Sequence, residues 1–382
     1  MHIALTNAKV LTPDGFLTGK TVVVEEGTIK SICDHVPFGA SIRDLSGQML
    51  VPGLVDLQVN GGGGCLFNAD PSVQTVTTIA RAHRRHGTTG LLPTLVSDDL
   101  SVIEAGIQAV DKAIDQGVPG VLGIHIEGPF LATSRKGIHQ ADKLLELADS
   151  HLALLSSLKR GRTLVTLAPE CATPELISRL AASGVVVSLG HSNADYATAR
   201  LALEAGATGF THLFNAMSQL QSRDPGMVGA AFESDTAYAG IIVDGQHVHP
   251  ASVTAGLKAM GANRLHLVSD AMATAGSDIV EFDLQGTTIF KTGDRLHDRS
   301  GTLAGSVLTL MRGVKELVCQ TGVSLDLAIG MASRVPANFI GLGKVLGSIA
   351  SGQKADLVAI DSSLAVHSTW IDGLEEQVYQ AT

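Results

Sequence analysis

The chain is poor in aromatic residues and in charge: 4% of its 382 residues are aromatic and 17% are charged. So few aromatic side chains argue against a stacking platform for single-stranded nucleic acid. The formal net charge is -10 and no long run of Lys or Arg is present, which argues against duplex nucleic acid and anionic membranes as partners. A small anionic substrate stays open, because a few local cations can hold one phosphate.

Cysteines and long apolar stretches are also scarce. The four cysteines are far apart and form no C-x-x-C pair, which argues against a disulfide framework and against a thiolate zinc site. No apolar stretch reaches the roughly 18 residues of a membrane span, and the first seven residues lack the basic and apolar segments of a signal peptide. We therefore expect a reduced, soluble protein in the cytoplasm.

What the chain does have is a repeating pattern of apolar runs. From residue 52 onward these runs alternate with Ala-rich helical stretches such as residues 73–86 and 195–205. The runs begin near residues 53, 90, 121, 163, 185, 209, 238 and 265. Eight β-α units predict an α/β fold, a (β/α)8 TIM-type barrel, which we assign to residues 52–343. The residues described below make this the metal-dependent catalytic domain.

Both ends of the chain have a different sequence pattern. Alternating or β-branched runs separated by turn signals fill the first 50 residues, and the same pattern is found after residue 343. A C-terminal fragment of about 40 residues could hardly hold a core by itself. We therefore predict that residues 1–51 and 344–382 form one small split β-sandwich.

Residues that bind metals end three of the apolar runs. Glu127, His191 and His212 close the third, fifth and sixth runs, and a barrel of this type places its chemistry at the carboxyl ends of its strands. One carboxylate and two imidazoles leave a fourth tetrahedral position for water, as in catalytic rather than structural zinc sites. Three such residues at equivalent strand ends outweigh the alternative that each is a hydrogen-bonded core residue.

A further carboxylate, Asp270, ends the eighth run. There it could take a proton from water and give it to a leaving amine; the alternative, a helix cap, is disfavoured because the following Ala-Met-Ala-Thr-Ala-Gly is a poor helix start. His125 is on the same strand face as Glu127 and is predicted to support the site without binding the metal. His266 is assigned a structural role, and His83 is assigned to a solvated helix surface.

The sequence around these residues resembles the N-acetylglucosamine-6-phosphate deacetylase family of the amidohydrolase superfamily. The matching stretches follow the barrel in order and lie at residues 52–56, 125–130, 190–192, 211–217, 243–247, 268–271 and 303–306. Any one stretch alone would be weak, whereas their combination is specific.

The resemblance implies metal-dependent hydrolysis of the acetamide of N-acetyl-D-glucosamine 6-phosphate, giving D-glucosamine 6-phosphate and acetate in amino-sugar metabolism. It implies metal binding by Glu127, His191 and His212, with Asp270 as the acid and base and His139 beside the substrate carbonyl.

The resemblance also implies a set of substrate-binding residues. These are Ile138, His139, Asn215, Ala216, Arg223, His247, Leu303, Ala304 and Gly305. In this family the arginine enters the site of a neighbouring subunit, which implies a homodimer or a homotetramer. A solvated loop arginine is the alternative for Arg223.

One departure from many amidohydrolases concerns Gln58 and Asn60, which stand where a His-x-His pair would hold a second metal. Amide side chains are poor ligands beside imidazole, so the resemblance implies one divalent ion per subunit, most simply zinc, with iron or another divalent ion left open. Three other functions also stay open: deacetylation of the galactosamine epimer, another amidohydrolase reaction, and non-catalytic binding of sugar phosphates. Asp270 argues against the last of these, because a binder needs no proton shuttle.

Overall fold

The structure is a computed structural model that describes residues 2–378. Residue 1 and residues 379–382, at the two ends of the predicted terminal β unit, lie outside the described residues. In chain order the strands and helices are β1 (His2–Thr12), β2 (Gly15–Glu25), β3 (Thr28–Cys33), β4 (Ser41–Asp44), β5 (Met49–Pro52), β6 (Leu54–Val59), β7 (Gly61–Gly62), β8 (Cys65–Leu66), α1 (Val73–Arg84), β9 (Thr88–Val96), α2 (Leu100–Asp115), β10 (Gly123–Glu127), α3 (Asp149–Leu155), β11 (Arg162–Leu167), α4 (Pro174–Ala182), β12 (Val186–Leu189), α5 (Tyr196–Glu204), β13 (Gly209–Phe210), α6 (Gly226–Glu233), β14 (Tyr238–Ile241), α7 (Pro250–Met260), β15 (Leu265–Leu267), β16 (Glu281–Leu284), β17 (Thr287–Thr292), β18 (Arg295–His297), β19 (Leu303–Ser306), α8 (Leu310–Thr321), α9 (Leu325–Met331), α10 (Arg334–Phe339), β20 (Leu357–Ile360), β21 (Val366–Ile371) and β22 (Leu374–Gln377).

Eight parallel strands form the barrel, in the order β6, β9, β10, β11, β12, β13, β14 and β15. The ring closes just beyond β15, where Ala271 forms a parallel bridge with Val59 and the Asp270 amide donates to the carbonyl of Gln58 over 3.0 Å. The barrel strands are buried almost throughout, because side chains fill the interior and helices cover the outside. The predicted TIM-type barrel is confirmed, and every barrel strand begins within two residues of its predicted start.

The two ends of the chain meet in one eight-stranded sheet, in the order β22, β21, β20, β5, β1, β2 and β3, with β4 paired to β1. The junction is the antiparallel pair β5–β20, in which Pro52 lies opposite Leu357. Val10, Leu50 and Trp370 are among the buried residues beneath this sheet. Each segment therefore supplies part of a core that the other completes, as expected for fragments too short to fold alone.

An additional four-stranded antiparallel sheet, β16 to β19, lies between the last barrel strand and α8. The sequence patterns do not predict it, because its strands are short and most of their residues are partly exposed. Its last strand is tied to the barrel mouth: Ser306 donates from its amide to the Asp270 carbonyl over 2.8 Å, and its own carbonyl accepts from Met272 over 3.0 Å. The extra sheet thus helps to fix the backbone of a predicted catalytic residue.

The prediction that His83 lies on a solvated surface is wrong. It belongs to α1 but is 1% exposed, and its Nε2 lies 2.9 Å from the carbonyl oxygen of Gly61. The ring fits beneath the β7–β8 hairpin because the strand facing it has no side chains there; a Cβ on Gly62 would lie 2.8 Å from the ring. No helix among the described residues is both long enough and apolar enough to cross a membrane.

A candidate metal centre at the mouth of the barrel

Three predicted ligands converge at the carboxyl ends of β10, β12 and β13. The Nε2 atoms of His191 and His212 are 3.0 Å apart, and they lie 3.3 Å and 3.1 Å from Oε1 of Glu127. All three side chains are at least nine-tenths buried. Two imidazole nitrogens and a carboxylate oxygen this close together form a set of donor atoms that could bind one cation.

The spacing of these three atoms matches the size of a tetrahedral metal ion. Zinc holds nitrogen and oxygen ligands at about 2.0–2.2 Å, which places tetrahedral ligands roughly 3.3 Å apart. The other ring nitrogen of His191 donates to the carbonyl of Arg135 over 2.8 Å. This bond orients the ring so that Nε2 faces Glu127 and His212, as in metal-binding histidines. The geometry therefore fits one divalent ion between Glu127, His191 and His212.

The electrostatics of Glu127 and His212 also favour a cation at this point. Burial would raise the pKa of Glu127, but hydrogen bonds from His191 and His212 hold that pKa well below 4.5. Burial opposes a charge on His212, yet the hydrogen bond and charge of Glu127 raise its pKa. The carboxylate is therefore ionised and attracts positive charge to this point.

His139 stands at the edge of the same cluster, and its ligand atom lies within 4.8 Å of those of Glu127 and His191. Its Nδ1 accepts from the Ser97 amide over 3.2 Å and lies 2.8 Å from the Ser97 hydroxyl. Burial, together with the nearby charge of His191, lowers its pKa to about 3. The ring is therefore neutral with its proton on Nε2, which makes it a hydrogen-bond donor; the tighter set with His212 fits a single ion better.

Two amide side chains hold the carboxylate of Asp270. Nδ2 of Asn60 donates to Oδ1 over 2.7 Å, and Nε2 of Gln58 donates to the same oxygen over 3.2 Å. Nε2 of Gln58 also lies 3.0 Å from Oε1 of Glu127. Both residues, at the positions of the usual His-x-His pair, thus act as hydrogen-bond donors, and Gln58 bridges the carboxylates of Asp270 and Glu127.

The pKa of Asp270 is raised to about 7, first because the carboxyl is buried and then because the charge of Glu127 is near, although the Asn60 hydrogen bond works in the opposite direction. A carboxyl group with a pKa near neutrality can both accept and release a proton under mild conditions. This is the property that a residue needs if it is to move a proton in both directions during one turnover.

Three of the converging residues occupy the left-handed region of backbone space, with φ of 48° at His191, 33° at His212 and 51° at Asp270. Residues other than glycine rarely adopt this conformation, and it costs about 1 kcal/mol or more at each position. The strands therefore end in sharp turns that direct these side chains towards the barrel axis.

A cavity of about 410 Å³ opens above the cluster. Of the predicted site residues, all but Ala304 and Arg223 line it: these are Glu127, Ile138, His139, His191, His212, Asn215, Ala216, His247, Asp270, Leu303 and Gly305. Ala304 is fully buried beneath its neighbours, and Arg223 lies on an exposed loop. A role of Arg223 in the site of another subunit therefore stays a prediction.

His247 is held at the cavity wall by Asp244. The His247 Nδ1 donates to Oδ2 of Asp244 over 2.7 Å, while Oδ1 accepts from the amides of Gln246 and His247. The hydrogen bonds and charge of His247 outweigh burial and lower the pKa of Asp244. The anchored ring presents its other nitrogen for a polar group of a ligand.

His125 and His266 line the barrel below the cluster. His125 lies 2.8 Å from the Thr166 hydroxyl and 3.3 Å from that of Thr94, and burial lowers its pKa to about 4. It contacts hydroxyl groups of the interior, and the ligand cluster is built without it. His266 is 2% exposed and packs against the ring of Phe339, in keeping with a structural role.

Seven cavity residues have no counterpart in the sequence-based prediction. They are Val96, Ser134, Arg135, Gly137, Ile242, Met272 and Thr302. Arg135 follows the third barrel strand by eight positions, and a single basic residue in a loop carries no pattern that distinguishes it from a solvated one. Thr302 directly precedes β19, and the Met272 amide donates to Ser306 of that strand, so both residues are placed by the extra sheet, which the patterns also do not predict.

The sequence matches the Amidohydrolase family over residues 49–375. An N-acetylgalactosamine-6-phosphate deacetylase of Shewanella sp. (strain ANA-3) is 48% identical over 98% of this chain and 95% of its own length. An N-acetylglucosamine-6-phosphate deacetylase of Haemophilus influenzae is 33% identical, with 98% and 99% covered. The crystal structure of N-acetylglucosamine-6-phosphate deacetylase from Pasteurella multocida is similar with a TM-score of 0.95 and 36% identity, covering 99% of this chain and 100% of that one.

Proposed function

The chain belongs to the amidohydrolase family, and on that premise we propose that it hydrolyses the acetamide of N-acetyl-D-glucosamine 6-phosphate to D-glucosamine 6-phosphate and acetate. The observation that carries the proposal is the convergence of Glu127, His191 and His212 within 3.3 Å of one another beside the half-buried Asp270. The deacetylase relatives, which match over nearly the whole chain, support the substrate class.

Glu127, His191 and His212 would hold one divalent ion, most simply zinc, because two imidazoles and one carboxylate form a common catalytic zinc set. When bound, such an ion lowers the pKa of water and polarises a carbonyl oxygen. Gln58 and Asn60 favour a single ion, since their amides already donate to the two carboxylates of the site.

Asp270 is the acid and base of the reaction. Its carboxylate accepts a proton from the water that attacks the acetamide carbonyl, and the protonated acid then gives this proton to the sugar nitrogen, so that a neutral amine leaves. Gln58 and Asn60 hold the carboxylate in one orientation while the proton moves.

His139 donates to the carbonyl oxygen as negative charge develops on it. Its tautomer is fixed for this task, because the Ser97 amide donates to Nδ1 and leaves the proton on Nε2. A neutral donor aimed at a developing oxyanion in a buried site lowers the barrier without a charge in the ground state.

The sugar phosphate would lie along the Ile138, Asn215, Ala216 and His247 side of the cavity, with the acetyl group against Leu303 and Gly305. Arg223 of a second chain would contribute to phosphate binding, since it is exposed and outside the cavity of its own chain. We therefore infer a homo-oligomer of two or four chains. A phosphorylated substrate, which does not cross membranes freely, favours a cytoplasmic enzyme.

The galactosamine epimer is the second candidate substrate, because the relative with 48% identity is named for that activity. The two sugars differ only in the orientation of one hydroxyl group. Selectivity between them depends on polar groups near that hydroxyl, and a site that hydrogen-bonds one epimer leaves a group unpaired with the other.

The experiment is acetate release from both epimeric 6-phosphates at matched concentrations, with the unphosphorylated sugars alongside. We expect turnover of the phosphorylated sugars, with the higher kcat/KM for the glucosamine derivative. A higher kcat/KM for the galactosamine derivative would favour the second candidate. No acetate from either sugar phosphate in a metal-loaded sample would refute the deacetylase function.

A further inference from the structure

Arg135 is a cavity residue without an ionic partner. It belongs to the short 3-10 turn Thr133–Arg135 and is half-buried at the cavity wall. Among the described residues that line the cavity it is the only Lys or Arg, and within the described chain no acidic side chain pairs with it. A guanidinium that faces a binding cavity with its charge unmatched is available for an anion.

The guanidinium is held in place from one side only. Its Nε donates to Oδ1 of Asn193 over 2.9 Å, which leaves the two terminal amino groups of the fork free of hydrogen bonds to the described protein. Two such groups match two oxygens of a phosphate in a planar, bidentate arrangement. Because the bond to Asn193 uses Nε, both terminal nitrogens, Nη1 and Nη2, remain available to donate to two phosphate oxygens.

The backbone of Arg135 is fixed relative to the candidate metal centre. The Arg135 carbonyl accepts from Nδ1 of His191 over 2.8 Å, and the Ala132 amide donates to the His191 carbonyl over 3.0 Å. The position of the arginine is therefore set by the same loop that orients a metal ligand, so its distance from the reacting end of the substrate is built into the fold.

The arginine is also connected to the predicted sugar-phosphate side of the cavity. Asn193, its anchor, directly follows Ser192, whose amide donates to the Ala216 carbonyl over 3.0 Å and which forms a bridge with Met217. The loops that carry Arg135, Asn193 and Ala216 are therefore linked by hydrogen bonds at the mouth. An anion held by Arg135 would lie on the side of the cavity that carries the Asn215–Ala216 segment.

From these contacts we propose that Arg135 binds the phosphate of the substrate and that it does so in the site of its own chain. The inference rests on the proposed function, since it assigns the anion to a sugar 6-phosphate. The phosphate would thus be bound by Arg135 of the same chain as well as by Arg223 of a neighbouring chain. Arg135 would therefore favour phosphorylated over neutral sugars even where no second subunit is present.

The test compares phosphorylated and unphosphorylated substrate in the Arg135→Gln variant. Loss of a charged hydrogen-bonding group should lower kcat/KM for the sugar phosphate about 10- to 100-fold, mostly through KM, and leave the unphosphorylated sugar unchanged. Arg135→Lys should recover part of the loss, because it restores the charge without the fork. Metal content and melting temperature should match the wild type.

The control is Arg299→Gln. Arg299 is exposed, lies three residues from the cavity residue Thr302 and does not line the cavity itself, so it reports any general effect of removing a positive charge near the mouth. Equal losses in both arginine variants, or equal losses of Arg135→Gln on phosphorylated and neutral sugar, would overturn the assignment. If wild type itself releases no acetate from a sugar phosphate, the proposed function has failed rather than the role of Arg135 alone.

Mixed oligomers test whether Arg135 acts in the site of its own chain or in the site of a neighbouring chain. Co-expression of Arg135→Gln with Asp270→Asn should restore no activity beyond that of Arg135→Gln, because the intact arginine and the intact acid are in different sites. The same experiment with Arg223→Gln should restore activity if that residue acts across an interface. Restoration in the Arg135 pairing would show that it serves a neighbouring site and would overturn the proposal.

Discussion

The side-chain amide of Asn60 donates a 2.7 Å hydrogen bond to Oδ1 of Asp270. This contact stabilises the ionised carboxylate, whereas burial and the charge of Glu127 favour the protonated acid. Asp270 is thus held between two states by opposing interactions within one small site. Its behaviour on mutation and with pH is the most direct check on the proposed chemistry.

Replacement of Asp270 by Asn should abolish turnover and leave metal binding intact. An amide keeps the size of the side chain but cannot accept the proton, and loss of a general acid or base costs about 100- to 10,000-fold in rate. The measurement is kcat with metal content determined on the same sample. Asp278→Asn, on an exposed residue eight positions away, should behave as wild type; more than a tenth of the rate in the Asp270 variant would remove it from the mechanism.

The pH dependence of kcat/KM should show an acidic limb that belongs to Asp270. The base form is required, so activity falls as pH drops through its pKa. Without a metal that pKa is about 7, and a neighbouring cation favours the carboxylate and moves the pKa lower. We therefore expect the limb below pH 7 in the metal-loaded enzyme; a limb centred above pH 7 would contradict the assignment.

Removal of the metal should abolish activity and lower the melting temperature. The buried Glu127 carboxylate and two close imidazoles lose their shared cation, and an ion present at 100 times its Kd contributes about 2.7 kcal/mol of stability. Chelation followed by readdition of zinc or iron, with melting curves at each stage, measures both effects. Glu127→Gln should bind far less metal, whereas His35→Ala, on an exposed histidine, should bind as wild type.

Asp56 provides a test of stability that is independent of catalysis. Its side chain is fully buried; Oδ1 accepts from the Ser269 amide over 3.1 Å and Oδ2 has no partner among the described residues. Burial raises its pKa to about 6. Since the folded pKa lies above the unfolded value near 4, the folded state binds the proton more tightly, and this stabilisation is lost as pH rises through 6.

Relative to Asp56→Asn, wild type should therefore lose about 2 kcal/mol of unfolding free energy between pH 4.5 and pH 7.5. Urea denaturation of both proteins at the two pH values gives the difference. A constant difference between them across this range would mean that Asp56 is not protonated in the folded protein.

The barrel could be predicted because each of its strands has a recognisable local sequence pattern. Runs such as those ending in Glu127 and His191 are apolar, short and bounded by glycines, and the strands begin within two residues of the starts of those runs. The terminal sheet was predictable for the same reason, and its two halves were expected to join because neither is large enough alone. The division into two domains, residues 52–343 and residues 1–51 with 344–382, stays a prediction.

Other features could not be derived from local patterns. The four-stranded sheet β16 to β19 alternates too weakly to stand out, and the burial of His83 depends on a facing hairpin that lacks side chains. Gln58 and Asn60 were recognised as poor metal ligands, but their bonds to Asp270 depend on how the first and last barrel strands meet. Arg135 was missed because nothing in its own loop marks it as facing a cavity.

The left-handed backbone at His191, His212 and Asp270 has a consequence for engineering. If the same side chains were placed on extended strand ends of another barrel, the imidazoles would point in different directions. A successful transplant would have to import the sharp turns together with the loops that brace them. In this protein the relative positions of the site side chains depend on the conformation of the main chain as much as on the identity of the residues.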